Sequence, residues 1–177
     1  MKKIVLAIAF VVVTVSATFA QNFAYVNSEY ILKHIPEYTS AQKQLDDLSQ
    51  KWQLEVDQQY AEIEKLYKAY QNDQVLLSED MRRRREDEIV KKEKDVKDFQ
   101  KQKFGFEGEL FKQRQQLVEP IQLRVSKAIQ DLAKAQGLDI VMDKGQETTF
   151  LYANPKLDKS NDVIIKLGLK PNAALAN

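Results

Sequence analysis

His34 is the only histidine in this chain and cysteine is absent, so thiol, thiolate-metal and cysteine–histidine chemistry are excluded at the outset. No glycine-rich phosphate loop and no set of ligands at metal spacing accompanies it. Acidic neighbours do occur, at Asp46-Asp47 and at Glu86-Asp87-Glu88, and paired carboxylates can do general acid–base work. Both groups, however, lie in stretches rich in Lys and Arg, which reads as the solvated face of a helix. His34, near the base of a helical stretch, reads as a packed or surface residue. The sequence therefore predicts no enzyme, no cofactor and no metal.

The sharpest charge feature is Arg82-Arg83-Arg84-Arg85. Four arginines together could hold an anionic lipid head group or an acidic polypeptide. They are flanked by Glu79, Asp80, Glu86, Asp87 and Glu88, which argues against nucleic acid and for local pairs such as Arg82 with Glu86 and Arg84 with Glu88. These arginines stand as a candidate anionic contact.

The elements that carry these residues are legible from apolar spacing. Tyr38, Ala41, Leu45, Leu48, Trp52, Val56, Tyr60, Ile63, Tyr67 and Tyr70 recur at three- and four-residue intervals, the mark of one apolar helical face. Ile89, Val96, Phe99, Phe106, Leu110 and Leu117 write a second face, continued past Pro120 by Ile121, Val125, Ala128 and Leu132. Only a short break at Leu76-Leu77-Ser78 separates the two, with Ser78 as N-cap and Glu79 and Asp80 in the new first turn. The pattern predicts an antiparallel helical hairpin with arms at 37–76 and 79–119, seamed by Leu45, Leu48, Trp52, Phe99, Phe106 and Leu110. Each arm would span roughly 60 Å and project from any small domain.

A second apolar set, Val90, Phe104, Phe111 and Val118, lies one position off that seam. With Leu76, Leu77 and Met81 at the tip it makes more apolar surface than a two-helix seam uses. Such a surplus either broadens the core opposite Leu54 and Leu66 or marks a binding face. Val90, Phe104, Phe111, Leu76, Leu77 and Met81 are the candidate binding residues. Gly105 and Gly108 weaken the helix around Phe106 and would let the arm bend.

Outside the hairpin, Phe23-Ala-Tyr-Val-Asn27 reads as a strand. Leu138 to Asp143 and Thr148 to Ala153 read as two more, joined by a turn at Lys144-Gly145-Gln146-Glu147. Gly137 is a helix stop, and Asp158-Lys-Ser160 opens a last helix that ends at Gly168. So small a sheet leaves its edges open, and oligomerisation is the simplest remedy. Phe23, Tyr25, Ile140, Met142, Phe150 and Tyr152 are the candidates for that contact.

At the N-terminus, Met1-Lys2-Lys3, the apolar run Ile4 to Val13 and the small residues before Ala20 have the three regions of a cleaved secretory signal. The run is too short for a spanning helix. Removing Lys2 and Lys3 from the 27 basic residues leaves 25 against 26 acidic ones, so the exported chain is near neutral and any electrostatic preference must be local.

The fold class expected is therefore α+β, mainly α: a small β-body at 21–36 and 120–170, a helical-hairpin arm at 37–119, and a frayed terminus at 171–177. Phe-Ala-Tyr-Val-Asn, the hairpin, Glu-Pro-Ile at 119–121, Leu-Asp-Ile-Val-Met-Asp, Tyr152-Ala153 and the Asp158, Ser160, Val163 run, in that order over 21–168, resemble the Skp/OmpH family of periplasmic chaperones. The resemblance implies a trimeric β-body from which three hairpins hang around a cavity. It also implies an ATP-independent holdase for unfolded outer-membrane proteins. The best-known members are strongly basic and this chain is not, which shifts the expected work from charge to the apolar faces, with lipid head groups as a lesser partner. The competing reading is an envelope scaffold, a coiled-hairpin spacer without chaperone activity. A spacer needs one seam, whereas a holdase needs apolar surface in water.

Overall fold

The structure, a computed structural model, describes residues 22–145 and 151–175. The expected signal segment at 1–20, Phe150 and the Gln146 to Thr149 part of the expected turn and strand lie outside the described residues. In chain order the elements are strand β1 (Phe23–Val26), helices α1 (Ser28–Lys33), α2 (Pro36–Asp73), α3 (Glu79–Phe104) and α4 (Glu109–Gln136), strand β2 (Ile140–Asp143) and helix α5 (Ser160–Lys166). Short 3₁₀ turns lie at Pro155–Leu157 and Ala173–Leu175. The α+β, mainly helical class read from the sequence is the class observed. The chain divides into two compact units, 36–123 and the segments before and after it.

In the first unit α2 runs 38 residues, about 57 Å at 1.5 Å per residue. Pro36 opens it at a position where its missing N–H costs nothing. It reverses at 74–78, and Ser78 caps α3 as the sequence predicts, its hydroxyl accepting from the Met81 amide at 3.4 Å. Partners then climb one helix as they descend the other. Tyr60 donates to Gln100 at 3.2 Å, Lys92 reaches Glu62 at 3.1 Å, and Tyr70 donates to Glu86. That order is an antiparallel hairpin. Its seam is buried at Val56, Ile63, Ile89 and Val96, with Leu66, Tyr70 and Phe99 against them. Further along the chain Ala41, Leu45 and Val118 form a second cluster with Tyr38, Leu110 and Leu117.

The second arm is not one helix. It breaks at Gly105, whose extended backbone (ψ 172°) ends α3, and restarts at Glu109 after Glu107 takes a left-handed φ of 57°. A Cβ on Gly105 would stand 2.3 Å from the Lys101 carbonyl oxygen, so no other residue fits this exit without movement. Two expectations fall on this arm. Phe106, placed in the seam by its spacing, is 94% exposed, because it sits on the non-helical connection. Val118, placed off the seam, is only 4% exposed, because it stands three and seven residues before Ile121 and Val125 on the same buried face of α4. The local ion pairs also differ from those expected. Arg82 and Arg83 both reach back to Glu79, at 3.7 and 3.5 Å, and Arg85 pairs with Glu88 at 3.7 Å, while Glu86 serves Tyr70. Helix α4 continues through Pro120 to Gln136, and Gly137 then takes a φ of 64°, the left-handed stop that glycine adopts without strain.

The second unit is organised differently from the expected strand and hairpin. β1 and β2 pair in parallel, Phe23 opposite Ile140 and Val26 opposite Asp143. Residues 151–153, expected to pair with β2 in a hairpin, are not in a strand. β1 is instead continued on its other side by Asp158, with the Lys159 amide donating to the Tyr25 carbonyl at 2.9 Å. Ala24, Tyr25 and Val26 of β1 are buried, as are Ile31, Leu32, Ile35, Val163 and Ile164 on the helices and their connections. Most polar groups at the strand ends are paired internally, the Ser28 hydroxyl being buried without a partner. Ser160 Oγ accepts from the Asn27 amide at 2.8 Å and donates to Asp158 at 2.6 Å, and Asp143 accepts from the Ser28 and Gly145 amides.

Candidate functional site

A side chain left in water on a helical hairpin is there because the seam is narrow: two helices bury one stripe each, and every further apolar residue faces out. On the 36–123 unit these residues gather in two places. The first is the turn, where Val75 and Leu76 are each 86% exposed and Met81 is half in water, with Leu77 partly covered. The turn residues have no helix opposite to pack on.

The second place is the break in the second arm. Trp52, buried in α2, meets the ring of Phe104 edge-on at 6.2 Å. Past the break Phe106 stacks on Phe111 at 6.3 Å with 27° between the rings. Lys103 lies over Trp52 at 4.8 Å and over Phe99 at 5.7 Å, its cation against the negative ring faces. Phe104 and Phe111 are each about two-fifths exposed, at 37% and 42%. Val90, further along α3, stands alone at 63%.

The candidate binding residues Val90, Phe104, Phe111, Leu76 and Met81 are thus all solvent-facing, and Leu77 partly so. Two the sequence reading left out join them. Phe106 was assigned to the seam, and the signal that could have freed it is the pair of glycines three apart around it. Val75 was passed over, although Val75-Leu76-Leu77 is a contiguous apolar run at a turn.

The arginine run flanks the turn. A shallow cavity of about 380 Å³ there is lined by Tyr70, Gln74, Val75, Glu79, Arg82, Arg83 and Glu86. Its charges largely answer one another. The hydrogen bond to Glu86, then desolvation and the Glu86 charge, raise the Tyr70 phenol above its ordinary value despite the opposing pull of Arg82. The phenol therefore stays a donor to Glu86. Among the described residues no acidic or histidine cluster could hold a metal ion, and no helix is long and apolar enough to cross a membrane.

In the strand-bearing unit Phe23, Ile140 and Met142 are exposed on the sheet and Tyr152 is 80% exposed beyond it. Tyr25, grouped with them from its place in the strand, points inward and is buried; that burial, with the charge of Asp158 and then Tyr152, pushes its phenol up.

A family model described as outer membrane protein (OmpH-like) matches residues 22–167. Among solved structures, one described as an OmpH-like outer membrane chaperone from Caulobacter crescentus has the same fold, with a TM-score of 0.62 over 83% of each chain at 14% identity. No curated protein matches the chain significantly.

Proposed function

Because the chain belongs to the OmpH-like outer membrane protein family, we propose that it is an ATP-independent holdase of the periplasm that keeps unfolded outer-membrane polypeptides from aggregating. Family membership supports a chaperone role in general; the client class and the mode of grip are the finer reading. The observation that carries it is the apolar surplus of the hairpin: Val75, Leu76, Met81, Val90, Phe106 and Phe111, with the outer part of Phe104, are exposed beside the buried seam. Apolar attraction of roughly 25 cal/mol per Å² is non-directional, so a few such side chains hold any unfolded segment without reading its sequence. Each contact is weak enough to exchange. A near-neutral chain gathers clients by this surface rather than by net charge.

The same reading makes the protein a homotrimer joined through its sheet, exported by a cleaved signal at 1–20. Two paired strands are too few to close their own edges, and Phe23, Ile140, Met142 and Tyr152 offer apolar surface for a second and third copy. Mass measurement of the mature chain in solution tests the assembly: a stable monomer at micromolar concentration removes it. The function is tested by adding the purified protein, without nucleotide, to an unfolded outer-membrane β-barrel diluted from urea. Stoichiometric suppression of light scattering is expected. Undiminished aggregation would leave a scaffold, for which the seam alone suffices.

A further inference from the structure

His34 follows α1 as its C-cap and is held at both ring nitrogens. Nδ1 lies 2.7 Å from the Tyr30 carbonyl oxygen, and Nε2 lies 2.8 Å from the amide nitrogen of Asn172, 138 residues away. A carbonyl oxygen only accepts, so Nδ1 carries the proton. A backbone amide only donates, so Nε2 must present its lone pair. The two partners together select one tautomer of the neutral ring. The Tyr30 ring, edge-on at 4.5 Å, fixes its plane.

Asn172 is where the C-terminal segment is tied down. Its side chain accepts from the Ala174 amide at 3.0 Å and its carbonyl from the Leu175 amide at 3.1 Å, which closes the 3₁₀ turn at Ala173–Leu175. Those two bonds are internal to the segment, whereas the bond to His34 reaches the rest of the unit. Ala173 in turn forms part of the wall of a polar cavity of about 350 Å³, with Asn27, Tyr30, Lys144, Asp158, Ser160 and Asn161 around it. The tail therefore lies as a strap across one side of that cavity.

We propose that His34 is an acid-sensitive latch, whose neutral imidazole holds the strap at Asn172 and whose protonated form releases it. A second proton on the ring must sit on Nε2, where it meets the Asn172 N–H, donor against donor. The bond is then lost and the two groups repel. Closure requires the neutral ring and is lost when the ring is protonated. Tyr30 lies against the ring, Lys33 precedes it on α1, the helix α5 that packs on α1 carries Asp162 and Lys166, and Lys170 stands two residues before Asn172 in the chain. On release the cavity loses its Ala173 wall, and the Tyr30 hydroxyl with its Asn161 partner, 3.0 Å away, opens to solvent on that side.

The test uses the mature full chain and its single histidine. Amide hydrogen exchange of residues 172–175, corrected for the intrinsic pH dependence, is measured at pH 8 and pH 5, with ¹⁵N shifts of the imidazole alongside. At pH 8 the shifts should report a protonated Nδ1 and a bare Nε2. Protection at Asn172 should fall at least tenfold by pH 5, while the amide of Ile35, bonded to Leu32 at 2.9 Å, stays protected and shows the unit still folded. In His34→Phe, Asn172 should be unprotected at both pH values. Should that variant fail to fold, Asn172→Pro removes the donor and keeps the ring, and the Leu175 amide should then be as unprotected at pH 8 as it is in the parent at pH 5. Protection independent of pH in the parent, pH dependence that survives in His34→Phe, or Leu175 protection left unchanged in Asn172→Pro would each overturn the latch.

Discussion

The two units hold their chain in place in different ways. The 22–35 and 124–175 unit packs a buried core of Ile31, Ile35, Val163 and Ile164, leaves Phe23, Ile140, Met142 and Tyr152 exposed, and ties its polar ends through Ser160, Asp143 and Asp158. The hairpin buries one stripe and leaves Val75, Leu76, Phe106 and others in water. A closed polar network specifies one arrangement; a narrow seam with spare apolar surface tolerates many. On the proposed function, that difference separates a body that must be unique from an arm that must adapt to whatever it holds.

The contrast is most sharply tested by placing a charge in each unit. Ile164→Asp puts an unpaired carboxylate into a fully buried site and should cost several kcal/mol, about 3–5, abolishing the sheet unit and with it the proposed assembly. Leu54→Asp, on the exposed side of α2, should stay within about 0.5 kcal/mol. Chemical denaturation followed by circular dichroism separates them, and equal losses would mean that the hairpin has no free side. Next in size, Ser160→Ala leaves the Asn27 amide without its acceptor and should lower stability by about 1–2 kcal/mol. An unchanged melting curve would show that the polar network does not hold the small unit.

Removing the aromatic surface at the break should leave the buried seam in place and strike holding. Phe106→Ser/Phe111→Ser is expected to raise about tenfold the concentration needed to suppress aggregation, equivalent to about 1.4 kcal/mol. Retained holding with intact helicity would assign the clients to another surface. At the break, Glu107→Gly relieves the left-handed backbone and should stabilise the arm by about 1 kcal/mol, less the extra entropy of glycine in the unfolded chain. Smallest of all, changing Arg82 to Arg85 into glutamine should alter holding less than about twofold, since Glu79 and Glu88 already answer three of the four. A larger loss that vanishes in added salt would move capture to the tip charges.

Much of this was written locally and could be read without a structure. The two long helical faces follow from apolar spacing alone, and the stops at Ser78 and Gly137 are chemistry of single residues: a hydroxyl that accepts an orphan amide and a glycine that turns left-handed at no cost. That Val90, Leu76 and Met81 face water followed from counting more apolar positions than a seam uses.

What the sequence could not decide depends on where chains meet. The pairing of Phe23–Val26 with Ile140–Asp143 joins residues some 117 positions apart, and nothing in either short apolar run says whether its partner lies beside it or across the whole hairpin. Nor does spacing reveal that four residues leave the helix at Gly105, so that Phe106 is freed. The predicted face resumes beyond the break, where Ile121, Val125 and Ala128 are buried and Val118 joins them. His34 shows the same limit: its lone imidazole is legible in the sequence, but only the fold brings the Asn172 amide, 138 residues away, to Nε2.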